Sequence, residues 1–225
     1  GAAVRDTGEL RRRGWQRCRG RAARRDRAPR WWRRTVALGW QHRYSADDIV
    51  AEVLECGHNI VATVFLECGA MYRAGGPVEM RCVGETEWVH GVAAQAASGA
   101  YGSCRICAGI VPTADLTLGA AVEPVLQAHM AASSNLRGIR GPYTAGSCAK
   151  FAEAMALFEK YSLVFDLGAP FDKLHEAIEI ARVFPKVIMV LNHCGELDGP
   201  SSFNGSPSAE EKWCNDIVEL GKLPN

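Results

Sequence analysis

His193 ends an unbroken apolar run, KVIMVLN from Lys186 to Asn192, and is followed by Cys194 and Gly195. A buried parallel strand that stops on a polar side chain delivers it to the C-terminal edge of its sheet, where α/β proteins place their acid/base and binding groups. Glu67 closes VATVFLE in the same way and is a candidate hydrogen-bonding or acid/base carboxylate. Arg140 closes LRGIR and could grip a substrate carboxylate through two N–H groups. Arg137 stands three residues earlier, so on an extended chain it faces the other way, and Arg140 is the better placed of the two. Asp166 in SLVFDLG and Asn192 beside His193 complete the set as candidate substrate-binding groups. Each also has an ordinary structural reading: a satisfied strand-end histidine, a surface ion pair, a carboxylate bound to loop amides.

Those side chains need a sheet to hold them, and the chain supplies five apolar runs. They are 60–68, 105–111, 136–140, 162–168 and 186–192, each followed by a segment with apolar residues at helical spacing. Phe151, Met155 and Phe158 make one such stripe, and Leu174, Ala177, Ile178 and Ala181 another. Asp172 is placed to cap the helix after the fourth strand, and Ser208 with Glu211 forms a capping-box pattern ahead of Trp213 and Ile217. Strict alternation of strand and helix predicts a parallel sheet covered by helices.

Charge divides the chain. Residues 1–43 hold 14 arginines against Asp6, Glu9 and Asp26, so the remainder is acidic although the whole carries only +1. The expected boundary is therefore at residue 43, with an Arg-rich leader before it. Basic residues interleaved with Trp15, Trp31 and Trp32 could grip a phosphate backbone, and an acidic-poor stretch could be an organelle transit peptide. The reading given most weight is a disordered or mispredicted segment without a role, because neither helical nor strand periodicity shows in it. Nucleic-acid binding is accordingly ranked last among functions. No run of about 20 apolar residues is present to span a bilayer.

Nine cysteines without a signal-peptide pattern point to a reducing compartment, the cytoplasm. Cys104 and Cys107 spell C-x-x-C, but on a strand they face opposite ways, and no second pair exists to complete a zinc site, so they read as small buried hydrophobes. His58, His90, His129 and His175 fall at helix ends or within helical patterns and are read as ordinary surface or helix residues. AGGPVEM lacks the lysine of a phosphate loop, and SGAYGS does not match a dinucleotide fingerprint.

From about His42 onward, HRYSADDIVAEVLECGHNIVATVFLECGAMYR, GETEWVHGVAAQAASGAYG, CAGIVPTADLTLG, LRGIR and ARVFPKVIMVLNHCG resemble the amidohydrolase-related family of metal-dependent TIM-barrel hydrolases. The nearest subgroup is the one with sugar-lactone and pyrone-dicarboxylate lactonases. The resemblance covers nearly all of 42–225 and implies a partial TIM (β/α)8 barrel of about five to six βα units. It puts His193 at the sixth-strand ligand position, while the fifth-strand position is Phe171. The place of the first-strand His-x-His is taken by TVALGWQHRY, and the eighth-strand Asp is absent. After Arg140 the chain has only GPYTAGS where the family has a longer insertion. The expectation is thus an incomplete chain in which His193 is the surviving metal candidate. One divalent metal, zinc, is implied for an intact homologue and none for this chain.

The implied function is a hydrolase that opens a lactone or related carbonyl bond with an activated water, acting on a small molecule. Two alternatives stay open: a decarboxylase of the same superfamily, and a non-catalytic remnant or binding module of the same fold. Without neighbours beyond residues 60–66 and 186–192, the outer strands would offer apolar edges for self-association, unless TVALGW (35–40) serves as a substitute first strand.

Overall fold

The computed structural model describes residues 44–142, 149–196 and 207–225. The chain divides into two compact units, residues 1–57 and 58–225. The Arg-rich leader, TVALGW and most of the loop after Arg140 lie outside the described residues. In the first unit, helix α1 (Ala46–Glu55) starts at Ser45, whose backbone N–H and hydroxyl both donate to the Asp48 carboxylate, at 2.8 and 3.0 Å. The pairing satisfies groups that a helix start leaves open.

The second unit is an α/β assembly of five parallel strands: β1 (Ala62–Leu66), β2 (Arg105–Val111), β3 (Gly138–Pro142), β4 (Val164–Gly168) and β5 (Met189–Leu191). Each predicted run supplies one. Helices α2 (Val83–Ala97), α3 (Glu123–Ala132), α4 (Phe151–Tyr161) and α5 (Leu174–Val183) connect them, and α6 (Pro207–Leu220) follows β5. β1 pairs with β2, and β3–β4–β5 form a second ladder. The two ladders meet where the Ile110 N–H donates to Asn135 O (2.9 Å) and the Arg140 N–H to Pro112 O (2.8 Å), so the strands follow one another in chain order. Leu136 makes only an isolated bridge to Ile110, which is why β3 starts two residues later than the apolar run.

One face of β3 and β4 buries Ile139, Phe165 and Leu167 with Leu126, Met155, Phe158 and Ala177. Phe165 packs edge-on to Phe158 with ring centroids 5.7 Å apart, a favoured aromatic geometry. Both predicted stripes, on α4 and α5, are buried. Alternation along each strand then turns the residues between these core positions, Arg140 and Asp166 among them, toward the opposite face.

One capping expectation needs correction. Asp172 sits inside a single 3-10 turn (Phe171–Lys173), and α5 begins after Lys173 with no side-chain cap, because Pro170 sets the chain into that tight turn first. Ser208 lies within α6, and the residues that lead into that helix are outside the described ones.

Candidate functional site

The five candidate side chains come from four of the five strands: Arg140 and Asp166 lie within β3 and β4, and Glu67, Asn192 and His193 lie just past β1 and β5. Glu67 directly follows β1, held by its N–H donating to Val111 O at 2.9 Å. Arg140 is the third residue of β3 and Asp166 its register partner on β4. Asn192 and His193 follow β5, where the Asn192 N–H donates to Leu167 O at 3.0 Å.

Arg140 joins the group. One guanidinium nitrogen donates to His193 Nε2 at 3.0 Å, and the other lies 3.6 Å from Glu67 Oε1. Guanidinium can only donate, so His193 Nε2 presents its lone pair and Nδ1 carries the proton. Asn192 Nδ2 donates to Asp166 Oδ1 at 3.3 Å, and both residues are buried. Burial raises the Asp166 carboxyl above its ordinary value, with the Asn192 hydrogen bond and the Arg140 charge acting the other way. Arg137, by contrast, turns back to the carbonyls of Ser134 and Leu136.

His193 is delivered by a constrained turn. His193, Cys194 and Gly195 take φ of 51, 53 and 86°, left-handed values that only the glycine adopts freely. The turn is held by Gly195 N–H donating to Asn192 O (2.9 Å) and by the Trp213 indole N–H donating to Cys194 O (2.9 Å). Strain of this kind, of order 1–3 kcal/mol per residue, persists where neighbouring structure over-determines the backbone, and such places cluster at functional sites.

A cavity of about 350 Å³ opens beside Arg140, lined by Glu67, Thr113, Pro142, Gly168 and Pro170 as well. A second, of about 390 Å³, shares Thr113 and Pro142 with it and extends past Tyr72, Cys82 and Leu116. Thr113 was not among the residues singled out from the sequence, although it stands just past β2 as Glu67 stands just past β1. Its hydroxyl donates to Arg140 O at 3.1 Å.

His129, read from the sequence as an ordinary surface or helix residue, does sit in a helix, α3, but on its buried side. It is wholly buried, its Nε2–H donating to Thr113 O (3.2 Å) and its Nδ1 accepting from the Thr86 hydroxyl (2.8 Å). Burial lowers its imidazole from 6.5 to about 4. Glu85, the neighbour of Thr86, is equally buried. Cys104 and Cys107 are both buried free thiols.

The residues present do not by themselves fit a zinc centre. Zinc takes three or four ligands, whereas His193 Nε2 faces a guanidinium, and among the described residues no group of three or more His, Cys, Asp or Glu converges.

Comparison with known proteins places this architecture. No family model matches the chain. It is 29% identical over 197 residues to the uncharacterized protein y4mH of Sinorhizobium fredii, covering 81% of this chain and 58% of that protein. Its fold is that of an amidohydrolase from Burkholderia multivorans solved with bound zinc, at TM-score 0.59 and 21% identity, over 81% of this chain and 57% of the other. A probable 2-pyrone-4,6-dicarboxylic acid hydrolase from Acinetobacter baumannii, solved with citric acid, aligns at TM-score 0.49 and 13% identity, over 83% of this chain and 61% of that one. The match to the Burkholderia structure agrees in fold with the resemblance read from the sequence. The chain spans under two thirds of the length of these relatives.

Proposed function

We propose that this chain carries part of a (β/α)8 barrel hydrolase of the amidohydrolase-related family, one that opens a carboxylated lactone or a related carbonyl bond. The observation that carries the reading is the convergence of Arg140 of β3 with Glu67 and His193, which follow β1 and β5, next to a cavity that Glu67 and Arg140 line. Arg140 supplies the paired N–H groups that suit a substrate carboxylate. Once it turns to that carboxylate, His193 Nε2 and Glu67 are both free to take a proton from water. The water oxygen bonds to the carbonyl carbon, the ring C–O bond breaks, and the leaving alkoxide needs a proton. Asp166, whose carboxyl holds its proton more readily than usual, is suited to donate it.

Zinc, the metal expected for an intact homologue, is bound in the Burkholderia amidohydrolase; for this chain the proposal is hydrolysis without a metal, His193 being the surviving candidate ligand but not enough for a site by itself. The substrate is a small molecule. Among the described residues no helix is long and apolar enough to cross a membrane. A cytoplasmic location is part of the proposal, supported by a thiol-rich composition in which Cys68 and Cys194 are exposed free thiols. So is self-association through the outer strands: among the described residues β1 pairs only with β2 and β5 only with β4, while Val64 and Val190 are 58% and 45% exposed.

Incubation in ¹⁸O-labelled water tests the chemistry. One labelled oxygen in the product acid, without release of CO2, supports hydrolysis; CO2 release without label marks the decarboxylase of the same superfamily instead.

A further inference from the structure

The first turn of α2 holds two adjacent buried polar residues, Glu85 and Thr86, and each reaches a different strand end of the site. Glu85 Oε1 accepts from the Cys68 N–H (3.1 Å), the Ala70 N–H (2.9 Å) and the Cys68 thiol (3.3 Å). These donors come from the turn that leaves Glu67, in which Gly69 and Met71 take left-handed φ of 72 and 55°. Amides that converge in this way make an anion-binding concavity, and a carboxylate on a helix's first turn is further favoured by the helix dipole. Close packing holds the same turn against α2. A Cβ at Gly84 would come within 2.6 Å of Met71 O and 2.7 Å of Arg73 N, so the approach requires glycine.

Thr86 works the other way. Its hydroxyl donates to His129 Nδ1, His129 Nε2–H donates to Thr113 O, and the Thr113 hydroxyl donates to Arg140 O. A burial this complete costs several kcal/mol for polar groups unless hydrogen bonds compensate. One Glu85 oxygen, Oε2, nevertheless has no hydrogen-bond partner among the described residues. Retaining a carboxylate there makes sense if its other oxygen performs a task that a smaller or apolar side chain could not.

We propose that Glu85 and Thr86 are positioning residues which together set the Glu67 to Arg140 geometry, Glu85 by fixing the turn that aims Glu67 and Thr86 by fixing, through His129 and Thr113, the β3 backbone at Arg140. The inference rests on the reading of Glu67 and Arg140 as site residues. It concerns their geometry, however, and its first readout is independent of turnover.

That readout is the Arg140 Nε–H resonance of the ¹⁵N-labelled full chain, with amide exchange at Cys68 and Ala70. Glu85→Ala is expected to shift the Arg140 signal and speed those two amides about tenfold or more, while amides of α4 and β4 keep their protection. Glu85→Gln keeps an oxygen acceptor and is expected to retain both. An unmoved Arg140 signal in Glu85→Ala, or equal disturbance by alanine and glutamine, overturns the proposal. If Glu85→Ala does not fold, Thr86→Val, which removes only the hydroxyl, takes its place: a shifted Arg140 signal supports the proposal and an unchanged one overturns it.

Where a lactone is turned over, Glu85→Ala is expected to lower kcat about tenfold with KM within about twofold, since misplacing a reacting group costs rate more than binding. Placed on Glu67→Gln, it is expected to cost little more, because both act through one carboxylate. Full additivity overturns the link to Glu67. Absence of lactone turnover with an intact Arg140 response counts against the hydrolase reading and leaves the positioning standing.

Discussion

Arg140 Nη2 and His193 Nε2 lie 3.0 Å apart although 53 positions separate the residues. Parallel strands account for this. β3, β4 and β5 stand side by side, so whatever follows each strand emerges on one edge, and the left-handed turn at His193 bends the imidazole back toward β3. The guanidinium in turn reaches Glu67 beyond β1, so three strand ends are linked through one cation.

Arg140→Lys is expected to weaken this linkage despite keeping the charge. An ammonium is a point charge without the planar fork, and it cannot serve a carboxylate bidentately. On a carboxylated lactone KM should rise about 10- to 100-fold, the equivalent of about 1.5 to 3 kcal/mol for a charge-assisted contact. Steady-state kinetics alongside the uncharged methyl ester checks it, since the ester should show no comparable loss.

Stability should fall with pH through His129. Its folded value, about 4, lies below the ordinary 6.5, so the neutral form is the one the fold accepts. The stabilisation is complete above 6.5 and is lost as pH falls toward 4, about 1 kcal/mol of it between pH 7 and 5.5. Urea unfolding across that range checks this, with His129→Gln expected to flatten the slope.

Gly84→Ala should destabilise by roughly 2–4 kcal/mol, because the added methyl meets backbone atoms that cannot rotate away. Thermal melting reads the loss directly. Gly91, on the same helix with open space around it, is the control: alanine there should leave the melting temperature the same or higher.

Much of this was visible in the chain before any coordinates. The apolar runs that became β2 and β4 are unbroken because helices cover those inner strands and leave few positions to solvent, and polar residues such as Glu67, Arg140 and His193 stand out where they interrupt or follow a run. His129 was illegible for the opposite reason. Its partners Thr86 and Thr113 lie 43 and 16 residues away on other elements, so nothing in the local pattern separates it from the exposed His175. The Asp172 signal failed because Pro170 sets the local turn. Thr113 could have been found by the logic that found Glu67, as the polar residue just beyond an apolar strand.

Val190→Lys should reduce self-association if the outer strands pair between chains. A charge pointing into a strand edge opposes addition of another strand. Sedimentation velocity of the full chain at several concentrations is expected to show a lower mean mass for the variant, and an identical distribution for both removes the edge from the account.

The central claim is most directly tested by following base uptake while the full chain acts on a panel of carboxylated and uncharged lactones, with His193→Asn in parallel. The account predicts ring opening of at least one carboxylated lactone, and a loss of about 100-fold or more in kcat/KM for the variant, in the range of a lost general base. No opening of any lactone, or a variant as active as the parent, would contradict it.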